Sequence, residues 1–378
     1  MSTSVTHRVL AFYLPQFHPI KENDQWYGPG FTDWRNVVRG RPLFENHRQP
    51  HIPGELGFYD LRTSETRHAQ AQLANDHGID GFVYYHYWFN GRTVLERPLQ
   101  DRIKLDRHRH AFCVCWANLP WKQTWKGFSS ERGDDKMLIS QSYSSQDDRA
   151  QIEYLAPALS HPDYSRVLGR PLFLIFSASH FPDAARRIES IRTAAREILS
   201  EDLYICTVRS SAADVVEPGV VNANALVDFQ PDRADTELIG SLKRTAPGGK
   251  VDIVLYQDLV SAAVAKNAKK ACSYPCLSPG WDNTARKGVD GLVVHGSTPD
   301  LYGEWLETTL VGFRPKSPTE NLVFVNAWND WAEGCYLEPD TVWGRSYLEA
   351  HKSARDRIRG RMTLSGDVGA LGRLDDKR

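Results

Sequence analysis

The chain has 378 residues and a formal net charge of -1, with 46 Lys and Arg against 47 Asp and Glu. The basic residues are spread along the chain, which argues against a nucleic-acid partner because such proteins concentrate their positive charge in a patch. No segment is long and apolar enough for a membrane span, and the apolar run at 9–14 ends at Pro15, too early for a signal peptide. We therefore expect a globular, cytoplasmic protein.

Eight short apolar segments are predicted to be β-strands, and helical patterns lie between many of them. The strands are predicted at 9–14, 81–88, 111–117, 170–177, 204–208, 224–230, 272–278 and 322–325. Helices are predicted at 64–76, 95–105, 146–159, 182–199, 252–268, 302–311 and 347–358. The segment 19–59 is irregular, and a long irregular stretch inside a domain is usually functional.

This alternation predicts a parallel sheet that is covered by helices. Eight repeats in a chain of this length favour a closed α/β fold, the (β/α)8 TIM barrel, over an open doubly wound sheet. We expect one domain at 8–358 with long loops after its strands, an N-terminal tail at 1–7 and a flexible C-terminal tail at 359–378. No nucleotide-binding glycine motif follows a strand, and the six cysteines lack zinc-like spacing, so we expect reduced thiols, no cofactor and no metal.

Side chains at the carboxyl ends of the predicted strands are the candidate binding residues, because TIM-barrel active sites lie at that face. Most ends combine an aromatic ring with an amide, an imidazole or a carboxylate. The candidates are Tyr13, Gln16, His18, Tyr85, His86, Trp88, Trp116, Asn118, Asp228, Gln230, Trp281, Asp282, Asn326, Trp328 and Asn329. This mixture matches the apolar faces and hydroxyl edges of sugars, which predicts a carbohydrate partner.

Some of these candidates also have structural explanations. The residues at 84–88 could alternate between the barrel core and helix packing, and His86 alone could be a hydrogen-bonded structural residue. Asp282 could stabilise a turn. Asp228 lies inside an apolar strand, where a carboxylate requires either a function or a buried partner.

The segment after the eighth predicted strand contains the strongest candidate catalytic pair, Asp330 and Glu333. In a helical turn, a spacing of three residues places both carboxylates on one face, roughly 5–6 Å apart. Their repulsion should raise the pKa of one of them, which supplies the acid and the base that retaining glycosidic chemistry needs. Either carboxylate could instead cap the next element. Glu338 is the second choice, as a substrate contact or as half of a structural salt bridge.

Several sequence blocks, among them AFYLPQFHP at 11–19 and NAWNDWAEG at 326–334, together resemble the WbsX family, the glycoside hydrolase family 99-like proteins of bacterial polysaccharide loci. The longer blocks are AFYLPQFHP at 11–19, GFTDW at 30–34, YYHYWFN at 84–90 and NAWNDWAEG at 326–334. Shorter blocks lie at 56–61, 78–82, 95–98, 116–118 and 281–283. The resemblance extends over most of the chain and therefore predicts membership of the family.

The resemblance implies a barrel related to the family 99 endo-α-mannosidases, which use a Glu-Trp-His-Glu segment and no metal. In those enzymes the first Glu assists the sugar 2-hydroxyl through an anhydro-sugar intermediate, and the second Glu is the general acid/base. On this chain the second role falls on Glu333 and the first on Asp330, where the family pattern has Glu. A further departure is the sequence Asn-Leu-Pro-Trp at 118–121, where relatives commonly have Asn-Glu-Asn-Trp.

These observations lead to three functional hypotheses. The first is a retaining, endo-α-mannosidase-like glycoside hydrolase that acts on a bacterial polysaccharide or oligosaccharide. The second is a sugar-nucleotide glycosyltransferase of O-antigen, lipopolysaccharide or capsule biosynthesis, which a cytoplasmic location favours and the missing nucleotide-binding sequence disfavours. The third is a non-catalytic glycan-binding barrel, which the Asp at position 330 suggests.

Overall fold

Parallel strands close into a barrel at the centre of the protein in the computed structural model. The structure describes residues 7–106, 109–123, 136–210, 217–232, 236–237, 239–240, 242–246, 249–267 and 273–371. Within these residues eight strands run parallel, and the first strand pairs with both the second and the last. The strands are β1 (Arg8–Tyr13), β2 (Gly81–Phe89), β3 (Ala111–Trp116), β4 (Arg170–Ile175), β5 (Tyr204–Arg209), β6 (Ala225–Asp228), β7 (Ser273–Leu277) and β8 (Leu322–Val325). The predicted (β/α)8 TIM barrel is confirmed.

The barrel strands are buried on both faces, as their nearly continuous apolar sequences predict. All four residues of β8 are fully buried, and so are five of the six residues of β4. The predicted strand bounds differ from these by at most a few residues, and Cys272 in the predicted seventh strand lies outside the described residues. The strands therefore form a solid core that leaves only their carboxyl ends for a site.

Helices pack around the barrel. The longer ones are Ser64–Asp76, Arg97–Lys104, Ser145–Leu159, Ala184–Leu199, Tyr256–Asn267, Pro299–Gly312 and Ser346–Leu371, and the short ones are Lys21–Tyr27, Trp34–Val37 and Thr284–Lys287. Three of the longer helices begin at a side chain that accepts a backbone N–H bond from the first turn, namely Ser144, Asp183 and Thr298. Such caps satisfy donors that a helix leaves unpaired and define where each helix starts.

A second, smaller sheet lies beside the barrel and was not predicted from the sequence. Its strands are Leu242–Ala246, Gly249–Leu255, Leu292–His295 and Trp281–Asp282, in that spatial order. The predicted helix at 252–268 is therefore wrong over its first four residues, which belong to the second strand of this sheet. The β-branched side chains of Val251, Ile253 and Val254 explain the difference, because they favour a strand and are buried here.

The remaining elements extend the loops at either end of the barrel. The short strands are Arg92–Val94, Trp121–Lys122, Met137–Ile139, Arg166–Val167, Asn329–Asp330 and Cys335–Tyr336, and the 3-10 turns are Ala178–His180, Pro218–Val221, Gly288–Asp290 and Trp331–Glu333. The segment predicted as irregular at 19–59 contains the helices Lys21–Tyr27 and Trp34–Val37. The last helix continues to Leu371, beyond the end predicted at 358.

Two further observations concern the helices and the thiols. No helix in the described part of the chain is long and apolar enough to cross a membrane. Among the described residues, Cys113, Cys115, Cys206, Cys276 and Cys335 are buried and form no disulfide. Burial raises the pKa of the Cys113 thiol above its usual range, so this thiol is an apolar core residue and not a nucleophile.

Candidate active site

The guanidinium group of Arg286 holds three carboxylates together at the carboxyl end of the barrel. Its Nη2 lies 2.5 Å from Asp33 Oδ2 and 3.2 Å from Asp330 Oδ1, and its Nη1 lies 2.9 Å from Glu333 Oε1. The four side chains belong to the loops after β1, β7 and β8. These loops meet because parallel strands end at the same face of a barrel. We call Asp33, Arg286, Asp330 and Glu333 the Arg286 cluster.

Indole packing brings the loops of the Arg286 cluster into contact. The ring of Trp34, next to Asp33, lies 5.7 Å from that of Trp331, next to Asp330. Trp331 also stacks on Tyr336 at 3.8 Å, and the Trp34 Nε1–H donates a hydrogen bond to the Tyr59 carbonyl. Burial of these large rings fixes the backbone on both sides of the carboxylates, so the charges are held by apolar packing as well as by Arg286.

The two predicted catalytic carboxylates, Asp330 and Glu333, lie in different electrostatic environments. Burial raises the pKa of Asp330 well above its usual range; Arg286 opposes this rise, and the charges of Glu333 and Asp33 add to it. Three carboxylates share one guanidinium, so their mutual repulsion is only partly offset. Glu333 is the more accessible of the pair, with its side chain 20% exposed against 10% for Asp330. The structure thus assigns the raised pKa, predicted for one of the two, to Asp330.

Four aromatic rings cross the barrel mouth beside the Arg286 cluster. Tyr85 lies 5.5 Å from Phe12 and 5.9 Å from Phe176, and Phe229 lies 5.2 Å from Phe12 and 5.4 Å from Phe176. Burial raises the pKa of Tyr85 well above its usual range, and the charges of Asp330 and Glu333 contribute to the rise. The rings therefore form an apolar floor next to the carboxylates.

A second set of aromatic rings leads outward from the cluster along the end of β2. Burial raises the pKa of Tyr87 above its usual range, and the charges of Asp330 and Asp33 contribute to the rise. The Gln16 backbone carbonyl accepts the Asp33 backbone N–H. Trp121 lies 5.1 Å from Tyr87, and Trp26 lies 5.8 Å from Trp121. Both indoles are only partly buried. We call Tyr87, Trp121 and Trp26 the aromatic wall.

The period of two along β2 decides which predicted residues lie at the mouth. Tyr85 and Tyr87 lie on the inner side, whereas His86 and Trp88 lie on the outer side against the helix Ser145–Leu159. Trp88 Nε1–H donates to Asp147 Oδ1 at 2.9 Å, and the His86 ring stacks on Tyr154. Burial lowers the pKa of His86 to about 3, so this imidazole stays neutral at physiological pH. Packing against a helix, the structural explanation considered in the sequence analysis, therefore accounts for His86 and Trp88.

Four other predicted candidates are likewise buried in the barrel wall. Tyr13 donates a hydrogen bond to Gln70 on the helix Ser64–Asp76, and Trp116 Nε1–H donates to the Trp88 carbonyl. Trp328 packs on Phe82 at 5.1 Å. His18 is 2% exposed, and burial lowers its pKa to about 4. The structure does not bring these four side chains to the Arg286 cluster.

Three predicted amides connect the ends of neighbouring segments. Asn329 accepts the Leu14 N–H at 2.7 Å and donates to the Leu14 carbonyl, which fastens the β8 loop to β1. Asn118 makes the same pair of bonds with the Ser177 backbone. Asn326 donates to the backbone carbonyl of Gln230, whose side chain is also buried. These buried amides hold the loops by satisfying backbone groups that would otherwise lack partners.

Asp228 has the buried partner that its position in an apolar strand requires. Arg209 Nε lies 3.2 Å from Asp228 Oδ1, and Ser273 Oγ–H donates to Asp228 Oδ2. Arg209 also pairs with Asp232, which Lys266 contacts at 3.0 Å. Asp228 is therefore part of a buried ion-pair network at the end of β6, and this network accounts for its charge without a ligand.

Asp282 lies beneath the loop that carries Glu333. Its Oδ2 accepts bonds from His47 Nε2–H and Gln49 Nε2–H, and its Oδ1 accepts bonds from the backbone N–H and the hydroxyl of Thr284. Burial alone would raise the pKa of Asp282, but the donors, His47 first, bring it below its usual range. A Cβ on Gly334, where φ is +58°, would meet Asp282 at 2.9 Å, so the close approach requires glycine.

Glu338 is buried behind Trp331 and has no cation partner among the described residues. Its Oε2 accepts bonds from the Tyr59 hydroxyl and from Trp331 Nε1–H, and its Oε1 accepts one from Gln70. Burial raises the pKa of Glu338 to about 7. Glu338 therefore connects the loops through neutral donors, and the structural salt bridge, one of the two predicted alternatives, is not formed among the described residues.

The sequence analysis did not select three residues at the heart of the site. Tyr87 follows Tyr85 by two positions, and that spacing alone places it on the same face. Asp33 lies in the block GFTDW, which carries the family resemblance but has no strand in front of it. Arg286 had no signal, because a single Arg in a polar segment is normally a surface residue.

Comparison with known proteins decides the family. The family model described as "Glycosyltransferase WbsX" matches residues 9–351. The chain belongs to the WbsX family. This WbsX-family chain is 37% identical over 351 residues to the uncharacterized protein WxcX of Xanthomonas campestris pv. campestris. The alignment covers 92% of this chain and 50% of that protein, so the chain spans about half the length of this relative.

Solved structures share the fold of this WbsX-family chain at low sequence identity. The glycoside hydrolase family 99 endo-α-mannosidase of Bacteroides thetaiotaomicron is 14% identical, with a TM-score of 0.56 and coverage of 94% of this chain and 98% of that one. A glycoside hydrolase-like protein is 12% identical, with a TM-score of 0.59 and coverage of 94% and 95%. These likenesses support the barrel architecture.

Removal of the Arg286 charge should destabilise the protein. In Arg286→Met, three carboxylates lose their cation, and breaking a buried ion pair in this way costs about 3–5 kcal/mol of unfolding free energy. The loss should be smaller at pH 5 than at pH 8, because protonation removes the uncompensated charge. Urea denaturation at both pH values measures it, with the exposed Arg62→Met as control. Equal losses at the two pH values would show that the cluster is not held by charge.

The buried carboxyl of Glu338 should make stability depend on pH. Its folded pKa of about 7 lies above the usual value of 4.5, so the native state holds the proton more tightly and its advantage disappears as pH rises from about 4.5 to about 7. The shift corresponds to about 3 kcal/mol. The stability difference between the wild type and Glu338→Gln should therefore shrink across this interval in denaturation experiments. A constant difference would contradict the raised pKa.

Proposed function

We propose that this protein is a carbohydrate-active enzyme that hydrolyses glycosidic bonds in a polysaccharide or oligosaccharide. The proposal rests on the pair Asp330 and Glu333. One guanidinium holds both carboxylates at the barrel mouth, beside the aromatic floor. Two neighbouring carboxyl groups in different environments are the usual machinery of glycosidases. The fold shared with an endo-α-mannosidase supports the same class, and the retaining, α-specific reaction is proposed by that analogy.

Glu333 is proposed as the general acid/base, because it is the more accessible carboxylate. The reaction needs a proton on the leaving glycosidic oxygen and a base for the attacking group, which is the sugar 2-hydroxyl in the first step and water in the second. Asp330 is proposed as the partner that bears the proton at rest and passes it to Glu333, which delivers it to the leaving oxygen; the ionised Asp330 then accepts the 2-hydroxyl proton. When two carboxyl groups interact strongly, they titrate as a pair and not as separate groups. One shared proton can therefore serve the general acid in one step and leave a general base for the next.

Arg286 is proposed to position both carboxylates. Its two terminal nitrogens fix Glu333 on one side and Asp330 with Asp33 on the other. A planar fork of this kind controls direction as well as charge. The shorter side chain at position 330, compared with the Glu of the family pattern, is compatible with this arrangement because the carboxylate still reaches Nη2.

The aromatic wall is proposed to bind sugar residues on one side of the cleaved bond. The ring centroids of Tyr87 and Trp121 are 5.1 Å apart, and those of Trp121 and Trp26 are 5.8 Å apart. The two indoles are only partly buried. Apolar sugar faces stack on such rings, while the hydroxyls remain hydrated. A wall that extends beyond the carboxylates favours a substrate of several residues over a monosaccharide glycoside.

A glycosyltransferase is the second candidate, and the description of the matching family model favours it. The two candidates are separated by incubating the protein with mannan and lipopolysaccharide oligosaccharides, with and without nucleotide sugars, and measuring products by mass spectrometry. Release of shorter glycans without a nucleotide sugar supports the hydrolase. Extension that occurs only with a nucleotide sugar supports the transferase and would contradict the proposal.

The variant Glu333→Gln should lose turnover and keep ligand binding. Loss of general acid/base catalysis typically lowers kcat by about 10²–10⁴-fold, whereas the amide preserves the shape of the site. Released sugar gives kcat, and calorimetry with the same oligosaccharide gives the dissociation constant. Glu153→Gln, an exposed glutamate on the helix Ser145–Leu159, is the control. Full activity of Glu333→Gln would sink the catalytic assignment.

The variant Trp121→Ala should bind the glycan more weakly with little change in kcat. Loss of one stacking ring costs on the order of 1 kcal/mol, which raises KM severalfold. Trp121→Phe retains a ring and should lie near the wild type. Steady-state kinetics on oligosaccharides of increasing length measure the effect, which should grow with length. Identical KM values for all three proteins would exclude Trp121 from the binding surface.

A further inference from the structure

A cavity of about 230 Å³ lies next to the Arg286 cluster, on the other side of the loop that carries Glu333. Its wall is built from the segments 46–51, 279–282, 293–297 and 334–347, and Gly334, the residue after Glu333, is part of it. Neither Asp330 nor Glu333 lines it. A cavity of roughly 150 Å³ accommodates a benzene ring, so this one has room for a six-membered ring with substituents.

Aromatic side chains form much of the cavity wall. Trp281, Tyr336, Trp343 and Tyr347 contribute their rings, and Trp281, Trp343 and Tyr347 are only partly buried. Tyr347 has its hydroxyl bonded to Ser297, whose own hydroxyl donates to the Pro279 carbonyl. Rings with hydrogen-bonding edges suit a ligand that has both an apolar face and hydroxyl groups.

The two carboxylates in the wall are already saturated with hydrogen bonds. Both oxygens of Asp282 accept two bonds each, as described above. Asp340 Oδ2 accepts from Arg48 and from the Tyr336 hydroxyl, and Asp340 Oδ1 accepts from the backbone N–H groups of Val342 and Trp343. A carboxylate offers about four acceptor positions, so neither has one left for a ligand ammonium group.

The remaining charges disfavour an anionic ligand. The Arg48 guanidinium is paired with Asp340, which offsets its charge. His47 Nδ1 accepts the Leu43 N–H, so its only proton is on Nε2, and the imidazole that binds Asp282 is neutral. Asp282 keeps its negative charge among these donors, because they bring its pKa below its usual range. It would repel a carboxylate placed in the cavity.

One imidazole in the cavity wall, that of His51, has a ring nitrogen without a hydrogen bond to the described residues. The Tyr336 hydroxyl gives its proton to Asp340, so His51 Nδ1–H must be the donor in the 2.8 Å contact between His51 and Tyr336. The other ring nitrogen, Nε2, is buried and lies 3.7 Å from Asp282 Oδ2, within ion-pair distance, but makes no hydrogen bond in the described part of the chain. A buried nitrogen without a partner is costly unless a ligand or water satisfies it.

We propose that this cavity binds one neutral hexose residue, as a subsite next to the Arg286 cluster. The carbohydrate class of the ligand rests on the proposed function. The inference adds where one sugar residue binds and that this residue is uncharged. The rings take the apolar face, and Arg48 donates to a hydroxyl group. Saturated carboxylates exclude an amino sugar, and the Asp282 charge excludes a uronic acid.

Titration of Glu333→Gln with methyl glycosides tests the proposal, because this variant separates binding from turnover. Calorimetry and ligand-observed NMR should give millimolar dissociation constants for at least one of the methyl glycosides of glucose, galactose and mannose. Glucuronate and glucosamine should bind at least about tenfold more weakly. Equal or tighter binding of either charged sugar, or no saturable binding of any neutral one, would overturn the proposal.

Variants of the wall locate the binding. Trp343→Ala should weaken hexoside binding about tenfold, while Trp343→Phe keeps a ring and most of the affinity. Val220→Ala, an exposed residue on the turn Pro218–Val221, should leave the affinity unchanged. Melting temperatures check that each variant folds, and if Trp343→Ala does not, Trp281→Phe against Trp281→Ala repeats the comparison. Unchanged affinity in the folded alanine variants would place the hexose elsewhere. Hexoside binding without glycan hydrolysis would contradict only the proposed function, and hydrolysis without such binding would contradict only the subsite.

Discussion

The ion pairs around Arg286 are the constraint on which the arrangement of this site depends. One guanidinium contacts carboxylates from the loops after β1 and β8, while its own helix follows β7. Burial makes such a cluster costly unless the geometry is good, and here the fork of Arg286 and the packing of Trp34 on Trp331 supply it. Burial raises the pKa of Asp330 in this cluster, and the charges of Glu333 and Asp33 add to the rise against the opposing charge of Arg286.

The loops around this cluster are fixed by side chains that carry no proposed chemical role. Asn118, Asn326 and Asn329 satisfy backbone groups of neighbouring loops, and Asp282 joins the segment at 47–49 to the helix that carries Arg286. A site on loops is precise only when such contacts remove their freedom. The same contacts separate the mouth of the barrel from the adjacent cavity, so the two spaces share one wall at Gly334.

Much of the fold was predicted correctly from local sequence patterns, and the predictions that failed have physical causes. The apolar runs predicted all eight barrel strands, because strands buried on both faces carry that signature. The helix predicted at 252–268 failed at its start because Val251, Ile253 and Val254 pair in a side sheet, with the preceding strand Leu242–Ala246 and with the distant strand Leu292–His295. The candidate binding residues were chosen because they end strands, without knowledge of the face that each side chain occupies. Of the three candidates on β2, Tyr85 lies at the barrel mouth, whereas His86 and Trp88 face a helix.

The sequence by itself determined the barrel, the family and the importance of the segment at 326–340, because these depend on short-range pattern and on blocks of residues that stand together. Only the tertiary structure decided which side chains meet. Asp33 and Arg286 are 253 positions apart and are joined by a 2.5 Å contact. No local pattern encodes such a pairing, because it arises where loops from separate strands converge at one end of a closed barrel. The identity of the cation that holds Asp330 and Glu333 was therefore decided by the fold.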